Sequence, residues 1–166
     1  MQRTALLLLL SICLSANSLS AQAEDIQPPV NQSERPSVWI NPGFLSHHFD
    51  QSKGFREYNY GSGIQVNLSS TNSIIGGEYQ NSDNVHSSYL GWIWQPYHVG
   101  IARFGIWAGG INGYPAMQNG GWFPVAFPVV SLEYKAVGIN FTVFPNYQEK
   151  VYGAIVVQLK LRVWEQ

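Results

Sequence analysis

The sequence predicts an all-β protein: an eight-stranded antiparallel up-and-down transmembrane β-barrel. Three observations predict it. Apolar residues recur with a period of two, and no stretch shows convincing helical periodicity. About eight such runs, several near the 9–11 residues a tilted membrane strand needs, are separated by clusters of turn residues. Only 11% of the 166 residues are charged, against about 25% in a typical soluble domain.

The chain opens with a predicted signal peptide over residues 1–23. Arg3 supplies its positive start, residues 5–14 its apolar run, and Ala21-Gln22-Ala23 its cleavage site of small residues. That run is too short to remain as a membrane-spanning helix. The single cysteine, Cys13, lies inside it, so the mature chain offers no disulfide, thiolate metal site or cysteine nucleophile. Residues 24–36 are polar, contain Pro28-Pro29 and read as an extended periplasmic lead-in. The barrel is expected to occupy 37–166.

Within it the strands are expected near 37–49, 57–68, 72–81, 86–95, 98–109, 121–134, 136–144 and 151–164. The pattern is clearest in the seventh, where Val137, Ile139, Phe141 and Val143 share a face opposite Gly138, Asn140 and Thr142. In the eighth, Val157, Leu159, Leu161 and Val163 oppose Gln158, Lys160 and Arg162; in the second, Ile64, Val66 and Leu68 alternate with Gln65 and Asn67. Turn signals include Gln51–Gly54, Ser69–Asn72, Asn81–Asn84, Gln95-Pro96 and Asn112–Gly121. In lipid every backbone group needs an internal partner, and a closed barrel provides one without an edge. The Val, Ile and Phe rows are therefore expected to face outward. Trp39, Tyr58, Trp94, Tyr97, Trp122, Tyr134 and Trp164, near strand ends, suit interfacial girdles. A soluble sandwich or lipocalin-like barrel shares the alternation but would bury those rows. The net charge of −1 excludes a basic nucleic-acid footprint.

Two groups carry the chemistry. Ser46-His47-His48-Phe49-Asp50 closes the first strand, and Asn81-Ser82-Asp83 closes the third. In a meander with a periplasmic N-terminus both lie at the extracellular rim. A histidine near a hydroxyl is the minimum for activating an oxygen nucleophile; the same residues also read as solvated loop positions. Three charges fall inside expected strands: Glu78, Arg103 and Glu133. An Arg on the lipid face near the midplane costs roughly 2–4 kcal/mol, so all three are expected to point inward as an interior plug, with Arg103 between the two carboxylates. Pro124, Pro128 and Pro145 interrupt good strands, and proline lacks the donor a ladder needs.

Several stretches resemble the PagP-like outer-membrane barrels, the lipid A palmitoyltransferase family: Ser46-His47-His48-Phe49, Tyr58-Asn59-Tyr60-Gly61-Ser62-Gly63, Asn81-Ser82, Tyr89-Leu90-Gly91-Trp92, and the proline-bearing segment from Pro124 through Pro128, Ser131 and Tyr134 to Pro145. They cover nearly the whole mature chain in order. The resemblance implies a barrel that holds one phospholipid acyl chain and moves it, without a cofactor, to lipid A. Its partners would be the phospholipid and lipopolysaccharide of a Gram-negative outer membrane, with no nucleic acid, and the chain would act as a monomer. The family histidine falls on His48 by the following Phe49, or on His47 by distance from Pro42; His48 is preferred. The family serine falls on Ser82 and the aspartate on Asn81, a departure for which Asp83 or Asp50 is the available carboxylate. An amide can still orient a histidine or donate to an oxyanion. The acyl slot floor falls near Gly91 or Ile93, and Ile93 there implies a shorter chain. Pro128 and Pro145 match the positions flanking lateral lipid access. The family's N-terminal amphipathic helix has no counterpart in 24–35. Two alternatives stand beside this function: a non-enzymatic structural or adhesive barrel, and a lipid A deacylase.

Overall fold

The computed structural model describes residues 36–147 and 151–166. The expected signal peptide and nearly all of the lead-in lie outside them. Eight strands run in order: β1 (Ser37–His48), β2 (Tyr58–Asn67), β3 (Asn72–Gln80), β4 (His86–Val99), β5 (Ala102–Ile111), β6 (Phe123–Tyr134), β7 (Val137–Phe144) and β8 (Ala154–Glu165). Each pairs antiparallel with the next, and β1 pairs with β8 from Ser37↔Glu165 to His48↔Ala154, closing the barrel. Three connections are short: 68–71, Gly100-Ile101 and Lys135-Ala136. The other four, at the opposite end, run over 49–57, 81–85, 112–122 and 145–153. The two ends are called here the short-turn end and the long-loop end.

The alternation resolves as the sequence predicts. In β8, Ile155, Leu159, Leu161 and Val163 are exposed while Val156, Gln158 and Lys160 are buried. In β2, Gln65 and Asn67 are buried and Ile64 is exposed. An apolar belt therefore faces outward. Tyr58, Trp94, Tyr97, Trp122, Tyr134 and Trp164 are exposed near strand ends. Trp39 is not part of that girdle. It points inward at 1% exposure, with the Lys160 ammonium 5.1 Å from its ring centroid.

Strand β4 differs from expectation. Gln95-Pro96 is not a turn: the strand continues to Val99, and the pairing with β5 shifts register between Trp94 and Tyr97. A bulge accommodates the missing proline donor, and Gly100, in the left-handed region at φ 57°, makes the turn. A second irregularity, between Asn41 and Gly43 in β1, flanks Pro42.

Candidate functional site

The interior divides into three layers. At the short-turn end it is a polar plug. The Glu133 carboxylate bridges the Arg103 guanidinium and the Lys160 ammonium, the latter at 2.6 Å. Lys160 also donates to Gln65 Oε1 at 3.1 Å, and Arg103 to the Ser70 carbonyl. Above this set, Asn140 donates to Gln65 and Gln158 and accepts from Ser131, which Gln95 contacts in turn. Buried polar groups are tolerated when each finds a partner, and this network meets that condition.

Arg103 and Glu133 meet in this interior set, and Glu78 does not join them. The Glu78 side chain is 65% exposed on the outer face near the long-loop end, 3.3 Å from His86 Nε2. It lies two residues from the end of β3, where an outward carboxylate keeps its water. Its place in the plug belongs to Lys160, 1% exposed. The sequence signal for Lys160 was its position opposite the Leu159–Leu161 row.

Above the plug the lining turns apolar. Ile75, Ile93, Trp107, Phe127, Val129 and Phe144 line a slot together with the Tyr89, Asn140 and Gln158 side chains. Ile93 is 1% exposed and lines the slot. Gly91 faces the Trp107 ring instead: a Cβ there would stand 2.7 Å from it. The ring therefore forms the slot wall, and only glycine at 91 leaves room for it.

One side of this slot has an unpaired seam. The β6–β7 ladder runs from Tyr134↔Val137 only as far as Val129↔Thr142, whereas β6 pairs with β5 along to Phe123. The Pro128 carbonyl turns toward β7 and accepts from Thr142 Oγ1 at 2.6 Å. A strand residue points its N–H and C=O toward the same neighbour, and alternate residues share that neighbour. Positions 124, 126 and 128 thus address β7, and two of the three are prolines with no proton to give. Pro145 follows the end of β7 directly. Across the seam the Phe127 and Phe144 rings meet with centroids 4.1 Å apart.

Beyond the slot, at the long-loop end, lies a chamber. It shares Phe44, Phe144 and Val156 with the slot and is lined further by Ser46, His48, Ser82, Asp83 and Tyr114. His48 is 7% exposed, its ring 4.8 Å from that of Phe55, and its Nδ1 has no hydrogen-bond partner among the described residues. The structure therefore brings His48 and the adjacent Ser82 and Asp83 to one cavity from two places in the sequence. Ser82 donates to Asn59 Oδ1 at 3.4 Å.

The remaining candidates lie elsewhere. His47 points outward, its side chain 67% exposed, and pairs with Glu57 Oε1 at 3.0 Å. Asn81 is fully buried and engaged at every atom: Nδ2 donates to Ser87 Oγ and the Gly113 carbonyl, and Oδ1 accepts from the Asp83 and Val85 amides. It builds the 81–85 turn and presents no free group to the chamber. Asp50 caps the short helical turn Gln51–Lys53 and accepts from the Ser52 hydroxyl and amide, which hold its carboxyl below the usual carboxylate range. Among the described residues no cluster of His, Cys, Asp and Glu could hold a metal ion.

These features define a closed eight-stranded up-and-down β-barrel with an apolar exterior and a partly hollow interior. Among solved structures it is similar to the solution NMR structure of the de novo designed TMB2.3, a transmembrane barrel design, with a TM-score of 0.55 and 15% identity over 81% of this chain and 99% of that one. At that identity the likeness concerns the fold alone. No family model matches the sequence, and no curated protein does.

Proposed function

We propose that this chain is an outer-membrane acyltransferase, moving a phospholipid acyl chain to a hydroxyl of lipid A in the outer leaflet of a Gram-negative envelope. One observation carries the reading: an apolar slot beside a proline-edged seam adjoins a chamber holding a buried histidine nitrogen without a partner among the described residues. An apolar belt around a closed barrel fits a hydrocarbon surrounding, since soluble monomers rarely expose contiguous apolar patches beyond a few hundred Å². Short turns at one end and longer loops at the other follow the periplasmic and extracellular pattern of such barrels. The resemblance of the Ser46–Phe49, Asn81-Ser82 and Pro124–Pro145 stretches to the lipid A palmitoyltransferases points the same way.

A phospholipid tail slips sideways past Pro128 and Pro145 into the slot, which brings its ester to the chamber. His48 accepts the proton of the acceptor hydroxyl as its oxygen attacks the ester carbonyl carbon. The carbonyl π pair moves onto oxygen. When that oxyanion collapses, the glycerol oxygen leaves and takes the proton back from His48. The products are an acylated acceptor and a lysophospholipid, so atoms and charge balance without a cofactor. Asp83, on the same chamber wall, supplies a negative charge that favours the transient imidazolium. Ser82 orients the acceptor hydroxyl.

The test is mass spectrometry of lipid A from cells expressing wild type, His48→Ala or Ser82→Ala. The reading expects one added acyl chain with wild type, lost in both variants. A chain removed rather than added would instead make the protein a deacylase with water as acceptor. Identical lipid A in all strains would make it a structural barrel.

A further inference from the structure

The chamber holds an unsatisfied acceptor in His48, yet acyl transfer also needs a donor aimed at the oxygen on which charge develops. Ser82 is poorly placed for that task, because its proton already goes to Asn59. The connection between β5 and β6 supplies another group. Its Tyr114 folds back into the barrel mouth, packs edge-on against Phe123 with ring centroids 5.9 Å apart, and lines the chamber. The Tyr114 and Tyr79 hydroxyls are 2.9 Å apart. Tyr79 lines the slot and Tyr114 the chamber, so this pair stands where the ester of a slot-bound chain would lie.

Either hydroxyl of that pair can be the donor, and the groups behind it favour one sense. An Asn side-chain nitrogen only donates, and Asn81 Nδ2 donates to Ser87 Oγ at 3.0 Å. Ser87 lies beside the Tyr79 hydroxyl, and with its oxygen accepting from Asn81 its proton is available to the Tyr79 oxygen. In the sense this favours, Tyr79 donates to Tyr114. Each hydroxyl has one proton, so in that sense the Tyr114 proton is free to point into the chamber its side chain lines. Bonds aligned in one sense polarise one another and strengthen the last donor. Gly113 keeps the chain close: at φ 82°, it would bring a Cβ to 2.2 Å from Ser87 Oγ, so only glycine lets the loop pass over the relay.

We infer that Tyr114 is a catalytic residue, the hydrogen-bond donor to the ester oxyanion, and that Tyr79, Ser87 and Asn81 are positioning residues that aim its proton. The inference rests on the acyl-transfer reading. It changes no atom balance: Tyr114 keeps its proton throughout and shares it with the oxyanion while the carbonyl π pair resides there. Removing one such donor lowers kcat by about 10²–10³-fold, with KM little changed because the bond strengthens only as charge develops.

The test measures kcat and KM for transfer from a defined phosphatidylcholine donor by the refolded wild type, Tyr114→Phe and Tyr79→Phe, each first shown to fold by its circular dichroism and melting curve. The expected result is a kcat loss of about 10²-fold or more in Y114F and a smaller loss in Y79F, at unchanged KM. A folded Y114F that keeps its kcat in an active wild-type background overturns this inference alone. A wild type that transfers no acyl chain overturns the acyl-transfer reading and this inference together. If Y114F fails to fold, Y79F decides: unchanged kcat overturns the relay, and a kcat loss without a KM change supports it.

Discussion

Glu133→Gln changes one charge and almost no volume, yet it removes the anion to which two buried cations bond. Lys160 and Arg103 both bond to its carboxylate, and the three side chains are between 1% and 18% exposed. Removing one partner of a buried pair costs about 3–5 kcal/mol, because the other charge stays buried without compensation. Here two cations lose their counter-ion, which places the expected loss at the upper end of that range. Gln65, Ser70 and the Trp39 ring remain as partners and limit the damage. The assay is urea unfolding of the barrel refolded into lipid vesicles. Glu78→Gln, which removes an exposed pair with His86, is the control and is expected to change stability by less than about 1 kcal/mol. Adding Lys160→Met to Glu133→Gln removes one of the two uncompensated cations and is expected to recover part of the loss. A Glu133→Gln penalty no larger than that of Glu78→Gln would refute the buried three-charge plug.

Other perturbations probe the remaining layers. Leu159→Arg places a cation on the outer face near mid-strand and is expected to destabilise the vesicle-inserted barrel by about 2–4 kcal/mol, against about 0–1 for Val163→Arg near the strand end; equal penalties in urea titrations would contradict an outward hydrocarbon-facing row. Ile93→Ala removes a slot-lining side chain and is expected to shift the transferred acyl group toward longer chains in lipid A mass spectra, and an unchanged distribution would show that Ile93 does not measure the chain. Burial pushes the Tyr114 hydroxyl up to about 12 from its ordinary value of 10.0. The phenolate is thus the penalised form, so the stability this burial contributes is full below pH 10 and lost as pH rises through about 12. Comparing alkaline melting curves of wild type and Tyr114→Phe checks it: the variant should lose less stability over that window.

The barrel was legible because its strands repeat a simple rule. The β7 and β8 alternation fixes which residues face in, and the Gly, Asn and Ser clusters mark most of the turns. The rule failed where chemistry and geometry compete. Gln95-Pro96 reads as a turn, but a bulge absorbs the proline and the real turn, Gly100-Ile101, contains an apolar residue. Trp39 reads as a girdle residue because aromatic rings suit interfaces; its parity in β1 instead sends it inward against the Lys160 ammonium. Glu78 reads as buried because it interrupts an apolar run, although its nearness to the strand end lets it keep its water. For the site, adjacency in sequence places His47 and His48 side by side, whereas strand alternation sends one to the surface and the other into the chamber. Tyr114 gives no sequence signal, since it lies in an aperiodic connection and reaches the chamber only by folding back into the mouth.

The slot and the chain it is meant to hold can be observed together. Intermolecular nuclear Overhauser effects between the alkyl protons of a straight-chain detergent and the interior side chains of Ile75, Ile93 and Val129 would be measured on the refolded barrel. The account predicts such contacts on these inward-facing groups as well as on the outer row of Leu159 and Leu161. Contacts confined to the outer row, with the three interior residues silent, would contradict it.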